Sequence, residues 1–260
     1  MATYLHKQTQ SEPLYPDIIW NKPENKSMAG KLLIIGGNLH GLSKVAATYA
    51  SAQANGAGEI KVIMPDALKK TVGGSLPACE FVPSTPSGSF SIKAKNNLFA
   101  FINWADSVLM CGDFGRNSET AILLEQLLQG TSVQITLVHD ALDHFLSHAL
   151  MVLNRPNTTL ILTIAELQAL CKNSGELVPI TFGMGTVALV DQLHSLTLKY
   201  PINLVINYEN QILIAVNGEI SSTSSEIASD FWRTETAAKS SIFWMQNPTK
   251  PFESLTTAII

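Results

Sequence analysis

The sequence predicts an α/β protein built on a mainly parallel, doubly wound sheet with helices on both faces, and three observations carry that prediction. Lys31 to Ile35 is a short apolar, β-branched run that ends in the glycine pair Gly36-Gly37. A stretch rich in Ala and Ser, from about Leu42 to Ala54, leads through Gly56-Ala-Gly58 into a second apolar run, Glu59 to Met64. The same alternation of strand-like and helix-like segments continues down the chain. A strand ending in glycines, a small-residue helix and a second strand entered through glycines make one compact arrangement. It is a parallel βαβ unit whose first loop opens toward a ligand.

With 260 residues, 46% of them hydrophobic, the chain is long enough for one large core. We expect a single α/β domain over residues 31–260, preceded by an N-terminal arm, residues 1–30, that is polar and punctuated by Pro13, Pro16 and Pro23. Tyr15, Ile18, Ile19 and Trp20 are the arm's expected anchors. The net charge of -4 is spread out, and no basic stripe with interleaved aromatics offers a nucleic-acid footprint. No run is apolar and long enough for a bilayer, and the N-terminus lacks a signal-peptide pattern. Cys79, Cys111 and Cys171 are odd in number, far apart and without C-x-x-C spacing, which fits buried thiols in a reducing cytoplasm.

Further elements follow in order. Asp66 to Val72 reads as a helix begun at an Asp cap, and Glu80-Phe-Val as a short strand. Helix Ala94 to Trp104 feeds the buried strand Asp106 to Cys111, which ends in Gly112-Asp-Phe-Gly115-Arg116 before a helix from Ser118 to Leu128. Val133 to Val138 and Thr159 to Leu162 are strands, followed respectively by a helical turn at Asp140 to Phe145 and a helix at Ala165 to Lys172. An amphipathic helix spans Thr186 to Lys199, with Val187, Val190, Leu193 and Leu196 on one face. An antiparallel pair, Asn203 to Ile206 and Gln211 to Val216, flanks a turn at Tyr208 to Asn210. A Ser/Thr linker, Ser221 to Ser225, and helices on either side of Asn247-Pro248 close the chain. In a doubly wound sheet ligands sit at the carboxyl ends of the strands, here the loops Gly36 to Gly41, Gly112 to Arg116 and the one after Val138.

Candidate chemistry concentrates in those loops. Gly36-Gly-Asn-Leu-His-Gly41-Leu-Ser43 has Walker A glycine spacing, but Leu42 stands where the phosphate-gripping Lys belongs, so Gly36 and Gly37 read as a tight turn. Asn38, His40 and Lys44 are candidate polar contacts to a small ligand. Asp113, Gly115 and Arg116 lie either against a ligand or at a helix cap, and the same two readings hold for Asp140. His144 and His148 have metal-ligand spacing but no acidic or thiol partner nearby, so we expect solvated or core histidines and no metal site. Arg233 beside Trp232 reads either as packing with a cation–π contact or as an anion holder.

Taken in order, these segments resemble the carbohydrate-kinase-related NAD(P)H-hydrate dehydratases. The stretch Lys26 to Lys31 before Leu32-Leu-Ile-Ile-Gly36-Gly37 is similar to that family's opening, and Gly56-Ala-Gly58 keeps its Gly-Ala-Gly. Ala105-Asp106-Ser-Val108 through Cys111-Gly-Asp-Phe-Gly115-Arg116 resembles its Ala-Asp-x-Val and Gly-Pro-Gly-Leu-Gly-Arg segment, and Val138-His-Asp-Ala-Leu142 its Asp-Ala-Asp-Ala-Leu. Gln246 to Glu253 resembles its Gln-Gly-x-x-Pro-Phe-Glu junction.

The resemblance implies a ribokinase-like fold, a homo-oligomer and an activity that uses ATP or ADP, with Mg2+, to repair hydrated NADH or NADPH. The departures fall on that chemistry. Phe231-Trp232-Arg233-Thr234 replaces the family's Gly-Thr-Gly-Asp, which supplies a backbone nest for phosphate and a carboxylate base. Thr163 to Glu166 shortens a loop, Ile206-Asn207-Tyr208 replaces a Leu-Lys-Gly, Ser43-Lys44 replaces a Gly-Ala pair, and the chain ends at Ile260 before the family's last helix. Two functions remain open at this point. One is a divergent nucleotide-dependent lyase or kinase, with Asp113, Asp140 or Glu235 in place of the lost base. The other is a non-catalytic protein that uses the fold to bind a nucleotide or dinucleotide, or for assembly.

Overall fold

The computed structural model describes residues 3–74, 76, 78–176, 180–224 and 232–260. The strands are β1 (Leu5–Gln8), β2 (Lys31–Gly36), β3 (Glu59–Pro65), β4 (Cys79–Val82), β5 (Ser107–Gly112), β6 (Gln134–Val138), β7 (Thr158–Leu162), β8 (Ile202–Tyr208), β9 (Gln211–Val216) and β10 (Glu219–Ser224). The helices are α1 (Pro16–Trp20), α2 (Ser43–Ala54), α3 (Lys69–Val72), α4 (Lys95–Trp104), α5 (Ser118–Gln129), α6 (Asp140–Asp143), α7 (Ala149–Leu153), α8 (Ile164–Ser174), α9 (Thr186–Lys199), α10 (Trp232–Gln246) and α11 (Pro251–Thr257).

All ten strands join one sheet in the order β1-β10-β9-β8-β7-β6-β5-β2-β3-β4. From β8 to β4 every neighbouring pair is parallel, while β9 is antiparallel to both β8 and β10. The pleat explains why the central strands are apolar along their whole length. In β2, Leu33 and Ile35 pack on one face with α4, α5, α8 and α9, while Leu32 and Ile34 pack on the other with α2, α10 and α11. In β5, Val108 and Met110 divide in the same way from Leu109 and Cys111.

The chain leaves β2 for β3 and β4 on one side and takes up β5, β6, β7 and β8 on the other. The switch point therefore falls between β2 and β5. Here the register slips: Ile35 pairs with Met110 but Gly36 with Gly112, so Cys111 is a bulge that splays the two strand ends. Gly36 has no room for a side chain, because a Cβ there would stand 2.6 Å from the Gly112 carbonyl oxygen.

Two strands depart from the sequence reading. The N-terminal stretch expected to wrap as an arm contributes β1, parallel to β10, and the expected Ser/Thr linker is, as far as Ser224, β10 itself. Ser225 lies outside the described residues. Hydroxyl and amide pairs compensate the polar character of these strands. Ser221 Oγ meets Thr256 Oγ1 at 2.7 Å, and the Gln8 side-chain amide donates to Thr223 Oγ1 and to the Thr256 carbonyl. Of the arm's expected anchors Ile18 is buried with Phe243, and Tyr15 packs beside it, whereas Ile19 and Trp20 face outward. Val187, expected on the buried face of α9, is exposed, because the inward stripe is Leu189, Val190, Leu193 and Leu196. Cys111 and Cys171 are buried and Cys79 is half-buried, and burial pushes their thiols up to about 12, 11 and 11 respectively.

Candidate functional site

At the switch point the loop after β2 folds back on itself: Asn38 and Gly41 exchange backbone hydrogen bonds of 2.9 and 3.1 Å. The Asn38 side chain is buried and used twice. Its amide donates to the Asp113 carbonyl at 2.6 Å, and its Oδ1 accepts from the His40 backbone N–H at 2.7 Å. His40 itself turns its ring to the exterior. The fold-back positions α2, whose N-cap residue, Leu42, has no side chain that can cap.

Asp113 supplies that cap from the neighbouring strand. Its Oδ2 accepts from the Lys44 backbone N–H at 3.1 Å, and its Oδ1 lies 3.3 Å from the Lys44 ammonium. Gly41 leaves room for the carboxylate, since a Cβ at 41 would stand 3.3 Å from Asp113 Cγ. Asp113 does not cap the helix that follows it. Asn117 does so, with its Oδ1 accepting from the N–H groups of Glu119 and Thr120, and Arg116 is exposed.

Asp140 reaches across from β6. It does not cap its own helix; its Oδ2 accepts from the Gly115 N–H at 3.1 Å, while its Oδ1 is buried and has no protein partner. Around Gly112 the groups converge: a Cβ there would stand 2.9 Å from Asp140 Oδ1, 3.0 Å from His139 Cβ and 3.1 Å from Lys44 Cδ. Asp113 and His139, each directly after its strand, both have φ of 60°. For His139, with ψ of -142°, this is backbone that glycine adopts far more readily. Such strain clusters where a loop must present particular groups.

His139 Nε2 meets Thr234 Oγ1 at 2.9 Å, tying β6 to the first turn of α10. Burial, and then the positive charges of Arg233 and Lys44, push its imidazole down to about 3, so it is neutral at neutral pH. Arg233 binds neither an anion nor a neighbouring ring. One guanidinium nitrogen donates to both Glu166 carboxylate oxygens and to the Ile161 carbonyl, all at 2.8 Å. Its Nε is buried without a partner. Glu166 also completes a capping box, accepting from the Thr163 N–H at 2.6 Å while Thr163 Oγ1 accepts from the Glu166 N–H. Beside this pair, burial and the carboxylates of Glu166 and Asp140 push the Asp143 carboxyl up.

The structure thus brings Gly36, Gly37, Asn38, Lys44, Asp113, Gly115 and Asp140 together, and holds Arg233 one layer away through His139 and Thr234. Glu235 lies elsewhere. Thr234 is buried toward His139, so the next residue turns outward, into a groove beside Ala47, Ser51 and Lys239. Phe231, taken with its neighbours as the replacement for the phosphate nest, lies outside the described residues. Trp232 packs on the α2, α10 and α11 face of the sheet. The two spaced histidines diverge: His148 pairs with Glu125 at 2.6 Å, and His144 stands edge-on to Phe114. Among the described residues no three His, Cys, Asp or Glu side chains gather as a metal site. Sequence reasoning passed over Glu166, Thr234 and the role of His139. The Thr-x-x-Glu capping box was the one readable signal among them.

No protein-family model matches the sequence, and a search of curated proteins finds no match. Solved structures do match. A ribokinase-like superfamily protein from Enterococcus faecalis superposes with a TM-score of 0.75 at 18% identity, over 100% of this chain and 86% of that one. A hypothetical protein from Streptococcus mutans gives 0.69 at 18% identity, over 94% and 84% of the two chains. The ADP/ATP-dependent NAD(P)H-hydrate dehydratase from Bacillus subtilis, co-crystallized with ATP and Mg2+, gives 0.62 at 12% identity, over 95% and 86%. The sheet order, the two helical layers and these superpositions agree that this chain has the ribokinase-like α/β fold.

Proposed function

We propose that the chain is a cytoplasmic small-molecule binder on the hydrate-dehydratase scaffold, holding a nucleotide or dinucleotide in the switch-point crevice without carrying out nucleotide-dependent dehydration. The observation that carries this reading is the Asp113 carboxylate on the N-terminus of α2, paired with Lys44. A helix N-terminus at a switch point is where an incoming phosphate finds free N–H groups and a favourable dipole. Here a carboxylate of the chain already takes that place. Arg233, the other cation near the crevice, is held by Glu166. With Asp113 committed to Lys44, an accompanying Mg2+ would be held chiefly by the nucleotide's own phosphates.

The test is thermal unfolding with ATP, ADP, NADH and NADPH, each with and without Mg2+. A ligand at a hundred times its Kd adds about 2.7 kcal/mol, a rise in Tm of about 5–10 °C for a chain of this size. A shift with any of the four, together with no turnover of hydrated NADH, is the expected result. Flat curves throughout would remove the reading.

One observation favours a second reading, a divergent nucleotide-dependent lyase or kinase. Asp140 Oδ1 is a buried carboxylate oxygen without a partner, close to Gly112, and so stands as the best-placed base. Turnover of hydrated NADH that is lost in Asp140→Asn would establish that reading.

A further inference from the structure

The crevice contains a charge arrangement that discriminates between the two ends of a nucleotide. Asp113 and Asp140 both approach Gly112 and Gly115, with Lys44 as the cation paired to one of them. Asp113 has the left-handed φ of 60°, which a residue with a Cβ adopts at a cost, and the site nonetheless places an acid there. In the resembling family's Gly-Pro-Gly-Leu-Gly-Arg segment, the corresponding position is glycine, which takes that backbone freely. The carboxylate sits on the second residue of a 12-residue helix that has no cap of its own. Across Gly112 the Lys44 stem lies against Asp140, whose Oδ1 is buried and unpartnered.

We infer that Asp113 is a specificity-determining residue, a built-in competitor that keeps phosphate off α2 and turns this part of the crevice toward an uncharged, hydroxyl-bearing group such as the ribose of a nucleoside. This rests on the reading of the crevice as a nucleotide site and states which end of the nucleotide it holds. A phosphate brought to α2 meets one carboxylate in its place and a second across Gly112. An ammonium group meets Lys44. A neutral diol meets no like charge: its hydroxyls donate to carboxylate oxygens and accept from the Lys44 ammonium.

The test measures adenosine, ADP and inorganic phosphate against the wild-type chain, Asp113→Asn and Asp113→Gly by titration calorimetry. Asn keeps the acceptor for the Lys44 N–H, and Gly is at ease with the backbone angle, so at least one variant retains the fold, checked by circular dichroism. Wild type should bind adenosine at least as tightly as ADP and show no heat with phosphate. In the variants ADP should tighten by about tenfold, with adenosine changed much less. Wild-type binding of ADP that both variants leave unchanged overturns the inference alone. No binding of any probe to any of the three proteins overturns the inference and the proposed function together.

Discussion

Two arginines are buried at opposite ends of the sheet, and the chain treats them differently. Arg155, at the amino ends of β6 and β7, is 8% exposed and has no carboxylate partner. Its Nε donates to the Leu128 carbonyl, one terminal nitrogen to the carbonyls of Pro156 and Asn157 and to Thr158 Oγ1, and the other to those of Thr131 and Val133. It completes the chain turns beneath the sheet, and every nitrogen is used. Arg233, at the carboxyl end, has a side chain 12% exposed, relies on one carboxylate and one carbonyl, and leaves its Nε buried and unpartnered. A similar degree of burial thus accompanies full satisfaction at one end and partial satisfaction at the other. The incompletely satisfied end is also where backbone strain and an unpartnered Asp140 oxygen collect. A fold needs rigid closure at one edge of its strands, and a site needs groups with capacity left over at the other.

The sharpest way to break the comparison is Arg155→Met. Removing the guanidinium strands several backbone carbonyls, and we expect a loss of about 3–5 kcal/mol, or about 10 °C in Tm. Arg155→Lys should recover little of it, because an ammonium cannot serve three directions with a fixed planar fork. Any ligand shift found for the wild-type chain should persist in either variant. If Arg155→Lys is as stable as wild type, the carbonyl cage counts for less than its geometry implies.

Arg233→Met should cost less, about 2–3 kcal/mol, because its pair with Glu166 sits nearer to solvent. Glu166→Gln should cost a similar amount and also weaken the capping box. The double variant should be less destabilised than the sum of the two, with a coupling of about 1–2 kcal/mol by urea denaturation. Unlike the Arg155 variants, these should change the response to nucleotide, since Arg233 precedes the Thr234 that holds His139. Simple additivity, with an unchanged ligand response, would reduce Arg233 to a second structural arginine.

The same contrast governs what the sequence alone revealed. The switch point was legible because its elements are local: apolar runs ending at Gly36-Gly37 and Gly112, helices of small or periodic residues between them, and an antiparallel pair around Glu209 and Asn210, both left-handed in φ. β1 and β10 were not, because Leu5-His-Lys-Gln and Glu219-Ile-Ser-Ser-Thr-Ser lack the apolar pattern of a buried strand. Their polar side chains are satisfied by partners such as Thr256, far along the chain. Asp113 and Asp140 were singled out by position, but their roles were not, since each serves a loop that another strand supplies. Glu166 and Arg233, 67 residues apart, become a pair only when α8 and α10 begin on the same end of the sheet. Long-range polar pairing leaves no periodicity to read.

The smallest effect belongs to His139, and its sign follows from its pKa. The folded imidazole titrates at about 3, below the 6.5 of an unperturbed histidine, so the unfolded chain takes up its proton first as pH falls. The contribution of the neutral ring is whole above pH 6.5 and is lost progressively as pH drops from there toward 3. With allowance for partial solvent screening, the loss should reach about 1 kcal/mol by pH 5, and His139→Asn should flatten that limb of the stability curve. The second-largest cause of the depression is Arg233, after burial, so Arg233→Met should raise the imidazole pKa, a change that NMR titration of the ring reads directly. Arg155→Met, at the far edge of the sheet, should leave it where it is. Equal shifts from both variants would mean that the imidazole reports general loosening, and the two ends of the sheet would no longer be electrostatically distinct.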